Sequence, residues 1–438
     1  MTDQVSLSLA TPAESNPLQK VGATLVALGV LAVLIALFGT GKTYPVIFFL
    51  VITGLLTSGG ILYAIPYFQS LPGIRNNGIM HNAGTNRGAI AWGIAIFITG
   101  FYILLYWFPH LLEGLIRMAD PLSEILRGKP SNQWFMYSIF YTLAILVMGI
   151  RFIAKYRHVR YQVIRTISVM FFQLGFAFLI PALLEKLNQP EFYFSYFWPL
   201  KYSYLFPDDV GHLISSGKLG IFMVFWGAVM TFIATPILTY RYGKRWYCSW
   251  VCGCGGLAET AGDPYRHLSD KSLKAWKIER MLLYPILVLI TLVTILLWIN
   301  SWKGGALLGG ISGTLAMWYG FFIGSIFSGV IGTGFYPIMG ARVWCRFGCP
   351  MAAVLGIIQR FKSRFRITTN GGQCISCGNC STYCEMGIDV RAYAQKGENV
   401  IRASCVGCGI CASVCPRGVL KLENLNEDGR FQSYIRQE

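Results

Sequence analysis

The stretches CISCGNCSTYC (residues 374–384) and CVGCGICASVCP (residues 405–416) decide how the end of this chain folds. Each carries cysteines in a C-x2-C-x2-C-x3-C run, and the second closes on Pro416. Three thiolates at x2 spacing can wrap one iron–sulfur cube, and the x3 step carries a fourth thiolate across to a neighbouring cube. The spacing therefore predicts one [4Fe–4S] cluster on Cys374, Cys377, Cys380 and Cys415, and a second on Cys405, Cys408, Cys411 and Cys384. Zinc sites usually pair two C-x2-C units or bring in histidine. Neither run contains a histidine.

Outward from this tail, the composition is that of a membrane protein. Apolar residues make up 54% of the 438, charged residues 13%, and mean hydropathy is +0.51. Eight segments, near 21–40, 44–68, 88–108, 134–154, 166–184, 219–240, 281–302 and 316–340, are long enough to cross a bilayer. The expected fold is a polytopic α-helical membrane protein of about eight transmembrane helices with a C-terminal α+β two-cluster ferredoxin domain. Residues 1–20 carry one lysine and no small-residue cleavage site, so the first helix should stay as an anchor.

The net charge of +17 raises nucleic acid as a partner, but its distribution argues against it. With a cytoplasmic N-terminus, the inner loops 67–87, 151–165, 241–280 and 341–366 hold 21 Lys and Arg. The outer loops 41–43, 109–133, 185–218 and 303–315 hold 8. This asymmetry predicts a bacterial inner-membrane protein with both termini in the cytoplasm, its basic residues serving topology and lipid head groups. All 13 cysteines follow residue 247, on the side assigned to the reducing compartment, which favours ligands over crosslinks.

Four parts follow from this reading: residues 1–218 as a five-helix membrane region, 219–349 as a three-helix region, 350–365 as an interfacial linker helix, and 366–438 as the cytoplasmic cluster unit. The second region contains a short repeat, RWYCSWVC at 245–252 and RVWCRFGC at 342–349. Helical residues four apart share a face, with Cβ atoms about 5–6 Å apart. A disulfide needs about 3.8 Å. An intact turn would therefore leave Cys248, Cys252, Cys345 and Cys349 as four thiols at the inner membrane surface, near Arg245, Arg342 and Arg346. They would form a third metal or Fe–S site or a pair of redox-active dithiols; the plainer account is buried packing cysteines. Cys254, where the second copy has Met351, is either a substitute ligand or a bystander.

Two Cys-x3-Cys motifs at helix ends, followed by a two-cluster tail, resemble the membrane polyferredoxins of the NapH, NosR and CcoG type over about residues 219–438. In that family the second cysteine of each pair is normally followed by proline. Cys349-Pro350 matches and Cys252-Gly253 departs; Glu385 also follows Cys384 where such ferredoxins usually have proline. The resemblance implies electron transfer between a cytoplasmic donor, the quinone pool and a periplasmic partner, or metal reduction in enzyme maturation. The expected role is an electron-transfer subunit, not a stand-alone catalyst. A copper reductase of the CcoG kind, using the paired cysteines, and a redox sensor or assembly scaffold are the alternatives.

Among weaker features, His81, His110, His158, His212 and His267 all lie outside the expected spans, so no haem is expected. His267 alone is near the repeat. Helix eight is rich in glycine, which suits close packing. Residues Phe192–Phe206 hold nine aromatics in 15 positions. That reads first as an interfacial belt and second as a quinone pocket or docking surface. The stretch Gly255–Arg280 reads as a solvated loop.

Overall fold

The computed structural model describes residues 16–69, 85–370 and 373–426. The expectations for Arg75 and His81 lie outside these residues. Among the described residues, eight helices are long and apolar enough to cross a membrane: α1 Pro17–Thr43, α2 Pro45–Gln69, α3 Ala89–Trp107, α4 Gln133–Tyr156, α5 Arg160–Lys186, α6 Lys218–Tyr242, α7 Leu273–Trp302 and α8 Ile311–Gly334. The protein is thus a multi-pass membrane protein, as its hydropathy requires. Helix starts carry side-chain caps: Asn16 accepts from Leu18 N–H while Gln19 answers the Asn16 N–H, Asn132 accepts from Phe135 N–H, and Ser272 accepts from Ala275 N–H. Helices α1 and α2 approach backbone to backbone at Gly22 and Gly59, where a Cβ on either would lie 2.7–2.8 Å from the other's carbonyl oxygen.

The connecting segments sort onto two faces. On one, Arg87 donates to the Leu268 carbonyl at 2.6 Å and His267 meets the Thr85 carbonyl at 2.9 Å. On the other, Lys42 pairs with Glu113 at 3.1 Å and Lys129 with Glu185 at 3.0 Å. The tail docks on the first face. Its strands β1 Phe365–Thr369 and β2 Leu420–Asn424 pair antiparallel with Ile367 opposite Leu422. Tyr161 donates to the Gly407 carbonyl, Gln162 to that of Cys408, Ser249 to that of Val406 and Gln359 to that of Cys405, all at 2.7–2.9 Å. The helix Pro350–Lys362 is a wedge between bundle and tail. Its Pro350, Met351, Leu355 and Gly356 are buried, and Arg366 beyond it is buried too, donating to the carbonyls of Gln359 and Phe365. Only Arg360 and Lys362 reach outward as basic ends would at a lipid surface.

Two segments fold back into the bundle from opposite faces and meet. After α6 the chain turns inward: Ser168 of α5 donates to the Trp250 carbonyl at 3.0 Å, and Gly253 packs on Gln173. Gln173 stands 13 residues into the 27-residue α5, near its midpoint at 1.5 Å per residue. From the other face comes Phe192–Phe206. Its Ser195 carbonyl accepts from the Tyr247 hydroxyl at 2.7 Å, the Phe197 and Tyr247 rings lie 5.2 Å apart, and the Tyr196 hydroxyl bonds the Gly253 N–H. Phe192, Phe197 and Tyr204 are fully buried, so this stretch is a re-entrant plug, not the aromatic belt its composition suggests. Irregular backbone survives at membrane depth because Trp226 and Trp298 donate to the Phe194 and Leu205 carbonyls. Two glycines of α8, Gly320 and Gly324, receive the Tyr202 ring of this plug.

Candidate iron–sulfur sites

The two tail runs are copies of one backbone device. Ser376 and Gly378 in the first have φ of +60° and +81°; Gly407 and Gly409 in the second have +67° and +75°. Gly387 and Gly418, each three residues past the x3 cysteine, have +64° and +62°. These left-handed positions curl each loop around a hollow and lead into the short helices Asn379–Thr382 and Ile410–Ser413. One hollow is lined by Cys374, Cys377, Cys380 and Cys415, the other by Cys405, Cys408, Cys411 and Cys384. The structure therefore brings three cysteines of each run together with the fourth of the other. Burial pushes the Cys380 and Cys405 thiols up to about 11, so binding a cluster there must displace protons.

The two hollows differ in surroundings. Around the first, Ile375, Cys377, Pro416 and Arg417 are exposed. The second faces the bundle, and its Val406, Gly407, Gly409 and Cys411 are buried.

The Cys-x3-Cys repeat is structural as well as sequential, but it is not an unbroken helical turn. In each copy a glycine with positive φ, Gly243 or Gly340, ends the preceding helix. A short helix follows, Arg245–Cys248 or Val343–Phe347, and the second cysteine, Cys252 or Cys349, sits extended as the cap of the next helix. The same carbonyl is used twice in each: Tyr247 accepts from Val251 and Cys252, and Trp344 from Gly348 and Cys349. Those paired bonds unwind the helix between the cysteines, so neither copy is an intact turn. The pairs run from the junction with the tail, where Ser249 and Arg342 meet Val406 and Glu385, inward to Gly253 against Gln173.

Cys248, Cys252, Cys345 and Cys349 are all buried in one core with Phe197, Tyr247, Trp344 and Met351. Cys254 packs against this core beside them. Of the three arginines of the repeat, only Arg342 touches a thiol, with Nη1 3.7 Å from Cys345 Sγ. Arg245 stacks on Phe365, and Arg346 pairs with Glu279 at 2.9 Å. Among the described residues no three Cys, His, Asp or Glu side chains converge as they would on one bare ion. That holds for the tail runs as well, so it does not separate ion from cluster at the pairs. Gly253 stands where the second copy has Pro350 because Tyr196 and Gln173 fill the space a side chain would need.

A buried charge network, unseen in the sequence, joins these pairs to the tail. Arg342 bonds Glu259 at 2.6 Å and pairs with Glu385 at 3.0 Å. Arg266 bonds Glu385 at 2.6 Å and Asp263 at 2.8 Å, and Lys155 reaches Asp263 at 2.7 Å. Burial alone would raise the Asp263 carboxyl, but Lys155, Arg266 and Arg151 hold it well below the usual range. Glu385 is likewise held low by Arg266 and Arg342 against its burial. Glu259, Asp263 and Arg266 are at most 3% exposed, which overturns the solvated-loop reading for residues 255–268, while Asp270, Ser272 and Lys274 beyond them are exposed. His267 is not part of the cysteine surroundings that the structure describes; its Nε2 is engaged with Thr85.

Comparison with known proteins bears on these sites. A family described as a 4Fe-4S dicluster domain matches residues 373–420. Another, described as a 4Fe-4S binding domain, matches residues 223–273 and 314–368, and each of those segments contains one Cys-x3-Cys turn. The putative electron transport protein YccM of Escherichia coli (strain K12) is 39% identical over 49 residues, which cover 11% of this chain and 13% of that protein. No solved structure matches. The chain is accordingly a membrane-embedded iron–sulfur protein whose tail is a two-cluster [4Fe–4S] unit.

Proposed function

We propose that this protein relays single electrons between a soluble donor in the cytoplasm and an acceptor in the membrane or beyond it, either the quinone pool or a partner oxidoreductase. The carrying observation is that every cysteine except Cys377 packs into or against one continuous core running from the tail into the bundle. On this reading Cys374, Cys377, Cys380 and Cys415 hold one [4Fe–4S] cluster, and Cys405, Cys408, Cys411 and Cys384 hold the second; the hollows they line fit such a group. Cys248, Cys252, Cys345 and Cys349 form a third site, and the family match across both turns favours a cluster there. When bound, such clusters take up and give back single electrons without acid–base help.

The chain's own residues arrange these sites in order. The first tail site stands at the surface. The second is pressed on the bundle by Tyr161, Gln162, Ser249 and Gln359. Arg342 spans from Glu385, next to Cys384, to Cys345 in the bundle. The Lys and Arg bias supports a tail on the cytoplasmic side of a bacterial inner membrane. The printed description of YccM supports electron transport as the work done, and the polyferredoxin resemblance supports the same division into bundle, paired-cysteine region, connecting helix and tail.

Iron and acid-labile sulfide counting on anaerobically purified protein, with electron paramagnetic resonance after reduction, tests this. Roughly twelve irons and three reducible signals are expected. Colourless material without sulfide, or a C-terminal tag accessible only from outside the cell, would sink the proposal.

A further inference from the structure

The surface around the first tail hollow differs from the rest of the tail. Ile375 is 57% exposed beside Cys374, and Ser376 and Cys377 are exposed with it. Pro416 and Arg417 are exposed beside Cys415. Arg391 and Arg417 both line the hollow, and the Arg391 guanidinium reaches to 4.0 Å of where a Cβ on Gly378 would stand. Lys396 is exposed at the end of the same short helix, Val390–Lys396, five residues beyond Arg391. Among the described residues none of Arg391, Lys396 and Arg417 is in an ion pair. Among the described residues, those lining the second hollow include no Lys or Arg, and its Glu385 is paired with Arg266 and Arg342.

We propose that Arg391, Lys396 and Arg417, set around Ile375, Cys377 and Pro416, are the docking surface for a small acidic protein that carries one electron at a time. This rests on the relay reading and adds which site meets the donor and what charge the donor bears. A lipid surface does not suit this patch, because the tail is docked on the bundle through other residues, Glu385 and 403–408. Unpaired cations around a small apolar centre are what a transient complex needs. The charges speed and orient encounter, Ile375 and Pro416 exclude water at the contact, and the buried area stays small enough for release. The donor gives up one electron and stays intact; no proton or bond changes hands at this surface.

Binding is measured by calorimetry on the full-length protein in detergent, with a plant-type ferredoxin and a flavodoxin as acidic probes and cytochrome c as a basic one. The acidic probes should bind, and affinity should fall steeply between low and physiological salt. R391E/R417E should weaken it by about tenfold or more, and R391Q/R417Q by less. K362E, at the exposed end of the wedge helix, should leave it unchanged. Iron content and visible absorbance of each variant report that the sites are intact. Equal binding of cytochrome c, indifference to R391E/R417E, or tighter binding of anionic vesicles than of either acidic protein would overturn the proposal. Iron-free wild-type protein would instead overturn the relay reading itself, so the two failures are told apart.

Discussion

Arg342 of the second cysteine turn pairs with Glu385, the residue after Cys384, at 3.0 Å between Nη2 and Oε1, with both side chains fully buried. This contact ties the tail to the bundle through the two sequence motifs that most concern iron. A proline at position 385 could not make it. Glu385→Gln should therefore leave Arg266 and Arg342 short of a countercharge. Breaking a buried pair of this kind costs about 3–5 kcal/mol. A lowered thermal midpoint in detergent and faster proteolytic release of the tail are expected; an unchanged midpoint would contradict the role given to the pair.

Gly253 is held small by Tyr196 and Gln173. Gly253→Ala should over-pack that contact, at a cost of about 1–3 kcal/mol. Tyr196→Phe in the same chain should recover part of the loss, because it removes one of the two atoms in the way. A double-mutant cycle on thermal midpoints measures this coupling. Strict additivity would mean that the plug does not reach the first cysteine turn.

Cys252 and Cys254 are neighbours, yet only Cys252 has a counterpart in the second copy, Cys349. Cys252→Ser is expected to remove about four irons per chain, and Cys254→Ser none. Metal analysis of the two variants decides between ligand and bystander for Cys254. Loss of iron in both would make it a ligand.

Acid should loosen the bundle through Asp263. Its carboxyl is held below the ordinary value by Lys155, Arg266 and Arg151, against the upward push of burial. A group with a depressed folded pKa stabilises above its unfolded value, about 3.9, and that stabilisation is lost as pH falls through the folded value. The thermal midpoint should drop below about pH 4, and Asp263→Asn should be less stable at neutral pH and show a shallower acid loss. Parallel pH curves for the two proteins would remove Asp263 as the cause.

Much of this architecture is legible in the residues. The eight helices can be read because a bilayer fixes their length, and the two tail runs because cluster spacing tolerates few alternatives. The Cys-x3-Cys repeat is visible, but its unwinding is not: two bonds to the Tyr247 and Trp344 carbonyls decide it, and no residue type announces them. The plug escapes because nine aromatics in 15 positions suit an interface and a buried wedge equally well. Glu259, Asp263 and Arg266 look solvated because their partners Arg165, Arg342, Lys155 and Glu385 are distant in sequence. Two signals did point there: Gly253 in place of proline, and a carboxylate after Cys384.

The meeting of the two re-entrant segments near mid-bundle has an electrical consequence. On the relay reading, a unit charge carried from the tail side to Cys252 would cross part of the membrane's field, full passage being worth about 2.3 kcal/mol per 100 mV. Filling the paired cysteines with electrons would then depend on how strongly the membrane is energised.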